Sequence, residues 1–222
     1  VILINNMSFK NKKYVIIKKA ISKNLAIFVY NYFLMKRQVA MTLFKNKLIA
    51  PFSDEWGIWT DEQVPNTYSH YGDVAMETLL IKVQPIMEKH TKLKLIPTYS
   101  YARIYKKGDV LHRHKDRFSC EISATLNLGG EEWPIYLSSN ENVGIPDGNK
   151  ITLTSNAKGT KIILKPGDML VYKGMELEHW REPFEGEDCA QVFLHYNTFS
   201  KEAENNIFDG RPHLGLPLWV KK

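Results

Sequence analysis

The apolar positions of this chain change period near residue 92. Within 73–90, Val74, Leu79, Leu80, Val83 and Met87 recur at near-helical spacing, and Asp73 stands where an N-cap belongs. Pro85 falls inside that run and predicts a kink or an early end. Upstream, YVIIKKAI (14–21) reads as a strand that leads into a helix over 22–36, capped by Ser22. The segment between, 50–72, reads as loop because of Pro51, Gly57, Pro65 and Gly72. It carries Trp56, Trp59, Tyr68 and Tyr71, which suit either a substrate cleft or core packing. Beyond 92, short runs rich in Ile, Val, Leu, Thr and Tyr follow one another at 93–105, 118–128, 133–138, 150–154, 160–165, 169–173 and 190–197. Gly, Pro and Asn punctuate them. Many short strands with turn signals predict an antiparallel sandwich or barrel. Helices first and strands after make this an α+β chain in which N-terminal helices buttress a β-core.

Composition narrows the class. A chain of 222 residues with 44% hydrophobic content can bury a full core. No repeat or linker divides it, so a single domain over 1–222 is expected. Residues 1–91 form its helical and loop part, 92–200 the β-core, and 201–222 a C-terminal extension. The formal charge is +6, but the lysines are spread out, so no nucleic-acid partner is expected. LAIFVYNYFL (25–34) is apolar but only ten residues long, too short for a bilayer, and predicts a buried helix. Cys120 and Cys189 lack CxxC spacing and suit a reducing cytoplasm. The chain begins VILINN, and Met7 is expected to be the start, which leaves the first six residues out of the fold.

The candidate chemistry sits in LHRHKD (111–116). His112, His114 and Asp116 are two apart, so an extended strand turns all three to one face. Two imidazoles and a carboxylate can hold a metal, but the stretch alone leaves open which histidine serves and where a third ligand lies. His90 closes a helix, where a cation suits the dipole. His70 and His213 lie in loops with no visible partner. His179 closes KPGDMLVYKGMELEH and opens a strand just after a connecting loop, a position suited to the mouth of a barrel.

Tyr105, Gly108, His114 and Asp116 stand in one register. SATLNLGG (123–130), a Pro-Gly-Asp turn at 166–168, His179 and Pro183 follow. In this pattern the sequence resembles the Fe(II)- and 2-oxoglutarate-dependent dioxygenases, especially the prolyl 4-hydroxylase-like branch, over about residues 93–197. The resemblance implies a double-stranded β-helix (jelly-roll, cupin-like) core. It also implies Fe(II) held by His114, Asp116 and His179, with three positions left for 2-oxoglutarate and O₂. The implied reaction is hydroxylation with release of succinate and CO₂, with ascorbate as an accessory reductant. In this register His112 is not a ligand and falls at the cleft rim. The competing reading is a metal-binding cupin-like barrel that is no oxygenase and acts as a binding module.

The family usually supplies Arg or Lys for the far carboxylate of 2-oxoglutarate about ten residues after the distal histidine. Here that position is Cys189, between Asp188 and Ala190. If His179 points inward, so does Arg181, whose guanidinium forks onto a carboxylate. Gln191 and His195 share a face with Cys189 and can add donors, while Thr125 and Tyr105 resemble family positions near the keto acid. The expected anchor is Arg181, assisted by Thr125, Tyr105, Gln191 and His195. A salt bridge from Arg181 to Glu178 or Glu182 is the alternative. The expected substrate is peptidyl proline, an amino acid or another small molecule. Trp56, Trp59, Arg103 and Trp133 are candidate substrate contacts. Oligomeric state is not legible.

Overall fold

Alternating side chains on the long central strands give one sheet two apolar faces, and each face is covered. The computed structural model describes residues 9–50, 53–138 and 157–221. In chain order the elements are α1 (Phe9–Lys12), β1 (Tyr14–Ile17), α2 (Lys23–Lys45), β2 (Tyr68–Tyr71), α3 (Val74–Thr91), β3 (Leu95–Lys106) and β4 (Leu111–His114). There follow β5 (Ile122–Gly130), β6 (Ile135–Ser138), β7 (Thr160–Ile162), β8 (Met169–Lys173), β9 (Glu178–Arg181), β10 (Asp188–Thr198) and α4 (Lys201–Asn205). Two antiparallel sheets result, ordered β1-β8-β5-β10-β3-β2 and β4-β9-β6-β7.

On one face of the larger sheet, Ala102, Ala124, Leu126, Val192 and Leu194 share a core with Phe33 of α2 and Leu80 and Val83 of α3. On the other face, Leu170 and Tyr172 of β8 pack against Ile135 and Leu137 of β6 and Ile162 of β7. Each fully buried Leu or Ile contributes roughly 1.5–3 kcal/mol. The second interface leaves room between the sheets, and the polar residues of interest lie there.

Two helices follow their caps. Ser22 Oγ accepts from the Leu25 N–H at 3.2 Å, and Asp73 Oδ1 accepts from the Met76 N–H at 3.0 Å. Helix α2 runs to Lys45, well beyond the expected end at 36. The polar stretch Lys36–Gln38 that reads as its end consists of good helix formers, and Ala40 beyond it is fully buried. Nor is its apolar run buried all round: Phe28 is 71% exposed, while Ala26, Val29 and Phe33 form the buried stripe, with Leu25, Tyr30, Tyr32 and Leu34 half-buried beside it. Pro85 does not end α3. It lies on the exposed side, and Ile81, whose carbonyl loses its partner, is also exposed, so water can satisfy that group.

The segment 50–72 is not all loop. Tyr68–Tyr71 pairs with β3, with Tyr68 opposite Ile104 and Tyr71 opposite Tyr101. Trp59 packs 4.8 Å from the buried Tyr68 ring, so it serves the core. The run 118–128 opens with a 3-10 turn, Phe118–Cys120, before β5 begins. The strand expected at 150–154 lies outside the described residues. Strands β1 and β2 interleave with the helices, so the order is not strictly helices first. Among the described residues, no helix is long and apolar enough to cross a membrane.

Candidate active site

Strand β4 pairs antiparallel with β9, and His114 is the Cα partner of His179. Their ring centroids stand 4.1 Å apart. A register shift interrupts the pairing between Leu111 and His114, and β4 ends at His114. The three alternating side chains of LHRHKD therefore do not share one strand face. Asp116 lies past the strand, placed by its N–H donating to the Gly174 carbonyl at 2.9 Å. His112 is exposed at the cavity rim.

The tautomers follow from the partners. His114 Nδ1 is 2.7 Å from the His112 carbonyl and His179 Nδ1 is 3.0 Å from the Leu177 carbonyl. A carbonyl only accepts, so both Nδ1 atoms carry the proton and both Nε2 atoms present a lone pair. Those Nε2 atoms lie 3.8 Å (His114) and 3.5 Å (His179) from Asp116 Oδ1. All three ligand atoms lie within 4.8 Å of one another. Donors about 2.1 Å from a metal and at right angles stand about 3 Å apart, so the set fits a divalent ion with small closure. Burial, with His179 adjacent, pushes His114 down to about 4, which keeps it neutral. Burial also opposes charge on His179, but the Asp116 carboxylate outweighs it and raises its pKa. Burial would raise Asp116, yet His179 and His114 hold its carboxyl well below the usual range.

A cavity of about 590 Å³ opens over this cluster, with Tyr99, Tyr101, Arg103, Phe193 and His195 on its walls. Gln63 also lines it, and its Nε2 sits 3.2 Å from His114 Nε2, the lone pair a metal would use. Arg103 holds that loop through Asp61 Oδ2 at 2.6 Å and Gln63 Oε1 at 3.2 Å. The loop's role was not legible in the sequence, because no spacing ties 61–63 to His114.

Arg181 is buried, at 1% exposure. Its Nη1 donates to the Trp133 carbonyl, and its Cζ lies 5.0 Å from the Trp133 ring. Among the described residues, its Nε and Nη2 have no hydrogen-bond partner. Neither expected carboxylate reaches it: Glu178 pairs with Arg113 at 3.4 Å, and Glu182 accepts from Trp180 Nε1 at 2.8 Å. Burial lowers the pKa of Arg181, with Cys189 and Tyr105 close enough to act against that. Cys189, at the position where the resemblance leads one to expect a basic residue, therefore borders the guanidinium that comes from β9. Thr125 Oγ1 and Gln191 Oε1 are also buried without hydrogen-bond partners among the described residues. Tyr105 Oη accepts from Arg103 Nη1 at 3.3 Å, and its ring packs 4.6 Å from Trp133. Trp133 is thus interior packing.

His195 sits apart from this group. Its Nδ1 is 3.0 Å from Ser123 Oγ, on the Asp116 side, and its ring lies 4.6 Å from Tyr99. Arg181, Thr125, Tyr105 and Gln191 are not on the cavity walls.

No protein-family model matches the sequence, and no curated protein matches it. Solved structures match its fold. One is SnoN from nogalamycin biosynthesis, a non-heme alpha-ketoglutarate-dependent epimerase, at TM-score 0.59 and 11% identity, covering 86% of this chain and 80% of that one. HygX from Streptomyces hygroscopicus, solved with nickel and 2-oxoglutarate, gives TM-score 0.55 and 14% identity, covering 86% and 84%. The viral collagen prolyl hydroxylase of Paramecium bursaria Chlorella virus-1, solved with 2-oxoglutarate, gives 0.52 and 10%, covering 86% and 98%. The resemblance to iron- and 2-oxoglutarate-dependent oxygenases, prolyl hydroxylases included, therefore holds at the level of fold.

Proposed function

We propose that this chain is an Fe(II)- and 2-oxoglutarate-dependent hydroxylase built as one domain on a double-stranded β-helix. One observation carries the reading: a converging His114–Asp116–His179 set, with a buried guanidinium two residues beyond His179 on the same strand that has no carboxylate partner and two free nitrogens among the described residues. Two strand residues span about 6.6 Å, the scale of a five-carbon dicarboxylate. An unpaired buried cation costs several kcal/mol, so Arg181 favours an anion there.

His114 Nε2, His179 Nε2 and Asp116 Oδ1 hold Fe(II), and Asp116 offsets part of its charge. Bound iron with 2-oxoglutarate and O₂ supplies oxidative decarboxylation coupled to C–H hydroxylation. Arg181 binds the far carboxylate of the keto acid, with Thr125, Tyr105 and Gln191 completing its pocket. His195, expected among these donors, serves Asp116 instead, through Ser123. The substrate, a peptidyl proline, amino acid or other small molecule, enters past Tyr99, Tyr101 and Arg103. Ascorbate maintains Fe(II). Nucleic acid and membrane are not partners, and the two buried free thiols suit the cytoplasm.

The test is anaerobic titration with Fe(II) and then 2-oxoglutarate, followed by succinate measurement on admitting O₂. One metal per chain, metal-dependent keto-acid binding and slow succinate release are expected. Metal binding with neither keto-acid binding nor succinate would leave a non-oxygenase barrel.

A further inference from the structure

We propose that Ser123 and Gly174 form a seat that commits Asp116 to bind metal through Oδ1 alone, which makes both of them positioning residues. The inference rests on the metal-site reading above and assigns roles to two residues outside the ligand set.

Ser123 Oγ lies 2.6 Å from Asp116 Oδ2, 3.0 Å from the Cys120 carbonyl and 3.0 Å from His195 Nδ1. A hydroxyl has one proton, and both oxygens only accept. The shorter, charge-assisted bond to the carboxylate takes that proton. His195 Nδ1 then has to donate to Ser123, so a directed chain runs His195 Nδ1–H to Ser123 Oγ–H to Asp116 Oδ2. With Oδ2 engaged, Oδ1 is the oxygen that faces His114 and His179.

Gly174 supplies the other wall. Its carbonyl accepts from the Asp116 N–H at 2.9 Å, and its own N–H donates to the Glu121 carbonyl at 2.9 Å. A Cβ at this position would fall 2.8 Å from Ser123 Oγ and closer still to Asp116 Oδ2 and the Cys120 carbonyl. Backbone conformation does not demand glycine here, because Gly174 is not among the positive-φ residues. The demand is for space: the carboxylate occupies the volume of a side chain. Asp116 lies beyond the end of β4, so no strand pairing aims it, and the seat does so.

The experiment is a double-mutant cycle on the full chain, read by Ni(II) titration. Ser123→Ala should weaken Ni(II) binding by about 10- to 100-fold, as loss of outer partners does elsewhere. In an Asp116→Ala background the same change should cost nothing further. Gly174→Ala should behave likewise, and the visible bands of the Co(II)-loaded protein should shift in Ser123→Ala as the carboxylate turns. Unchanged Ni(II) affinity in Ser123→Ala, or an equal loss in both backgrounds, would overturn the seat. If Gly174→Ala fails to fold, the serine cycle decides alone. Asp116→Ala binding Ni(II) as tightly as the parent would instead overturn the metal-site reading itself.

Discussion

His114 and His179 are Cα partners across β4 and β9, and each turns its Nδ1–H to the backbone carbonyl two residues before it. Residues far apart in the chain thus present two lone pairs to one point. His179→Ala should therefore lower metal affinity roughly 100-fold or more, since even outer-shell losses cost up to about that much. His112→Ala should leave it unchanged, although His112 lies nearer His114 in sequence. Calorimetric titration with Ni(II) checks both, and a loss in His112→Ala would mean the wrong histidine has been assigned.

Arg181 gives a second contrast. Truncating one partner of a buried charged pair costs about 2–5 kcal/mol, so Arg181→Ala should weaken 2-oxoglutarate binding by at least about 30-fold while Ni(II) binding survives. Equal keto-acid affinity in the variant would remove Arg181 as the anchor.

The same arginine carries an unpaired buried charge when no anion is present. Arg181→Met should therefore hold or raise the melting temperature of the metal-free protein, since replacing buried charge by apolar volume is often neutral or stabilising by about 1–4 kcal/mol. A drop of many degrees would show that its bond to the Trp133 carbonyl outweighs that burial.

Glu77 and Arg211 form a fully buried pair at 2.7 Å, and Glu77 also accepts from the Ser100 N–H at 3.1 Å. Glu77→Gln leaves the guanidinium without its counter-charge and should cost about 3–5 kcal/mol in denaturant unfolding. A loss under 1 kcal/mol would show that water or the backbone compensates.

Asp209 accepts from Arg117 at 2.8 and 2.9 Å, from Ser119 at 2.7 Å and from Tyr71 at 2.8 Å. Burial opposes its charge, but these donors hold its folded pKa well below the ordinary carboxylate value. The sign follows: its contribution is complete above about pH 4, the unfolded value, and is lost as pH falls below that. Asp209→Asn should cost about 2 kcal/mol at pH 7, with the gap to the parent narrowing steadily as pH falls below about 4. A gap that is constant across this range would mean shape, not charge, is what Asp209 supplies.

The two helix caps, the positions of most strands and the likeness to the 2-oxoglutarate oxygenases were legible in the residue pattern. Each rests on local chemistry: Ser22 and Asp73 cap because a side-chain oxygen meets an N–H three residues on, and strands show as runs between turns. What needed tertiary neighbours was not legible. The extent of α2 depended on Ala40 finding the core, and β2 depended on an open edge of β3. The salt bridge expected for Arg181 failed because Arg113 and Trp180 engage the two glutamates, and nothing in the sequence orders those claims. Parity on β5 places Ser123 on the face of Thr125, a signal present in the sequence. Gly174 gave none, because its requirement is empty volume beside Asp116, and volume is decided only when the chain has closed on itself.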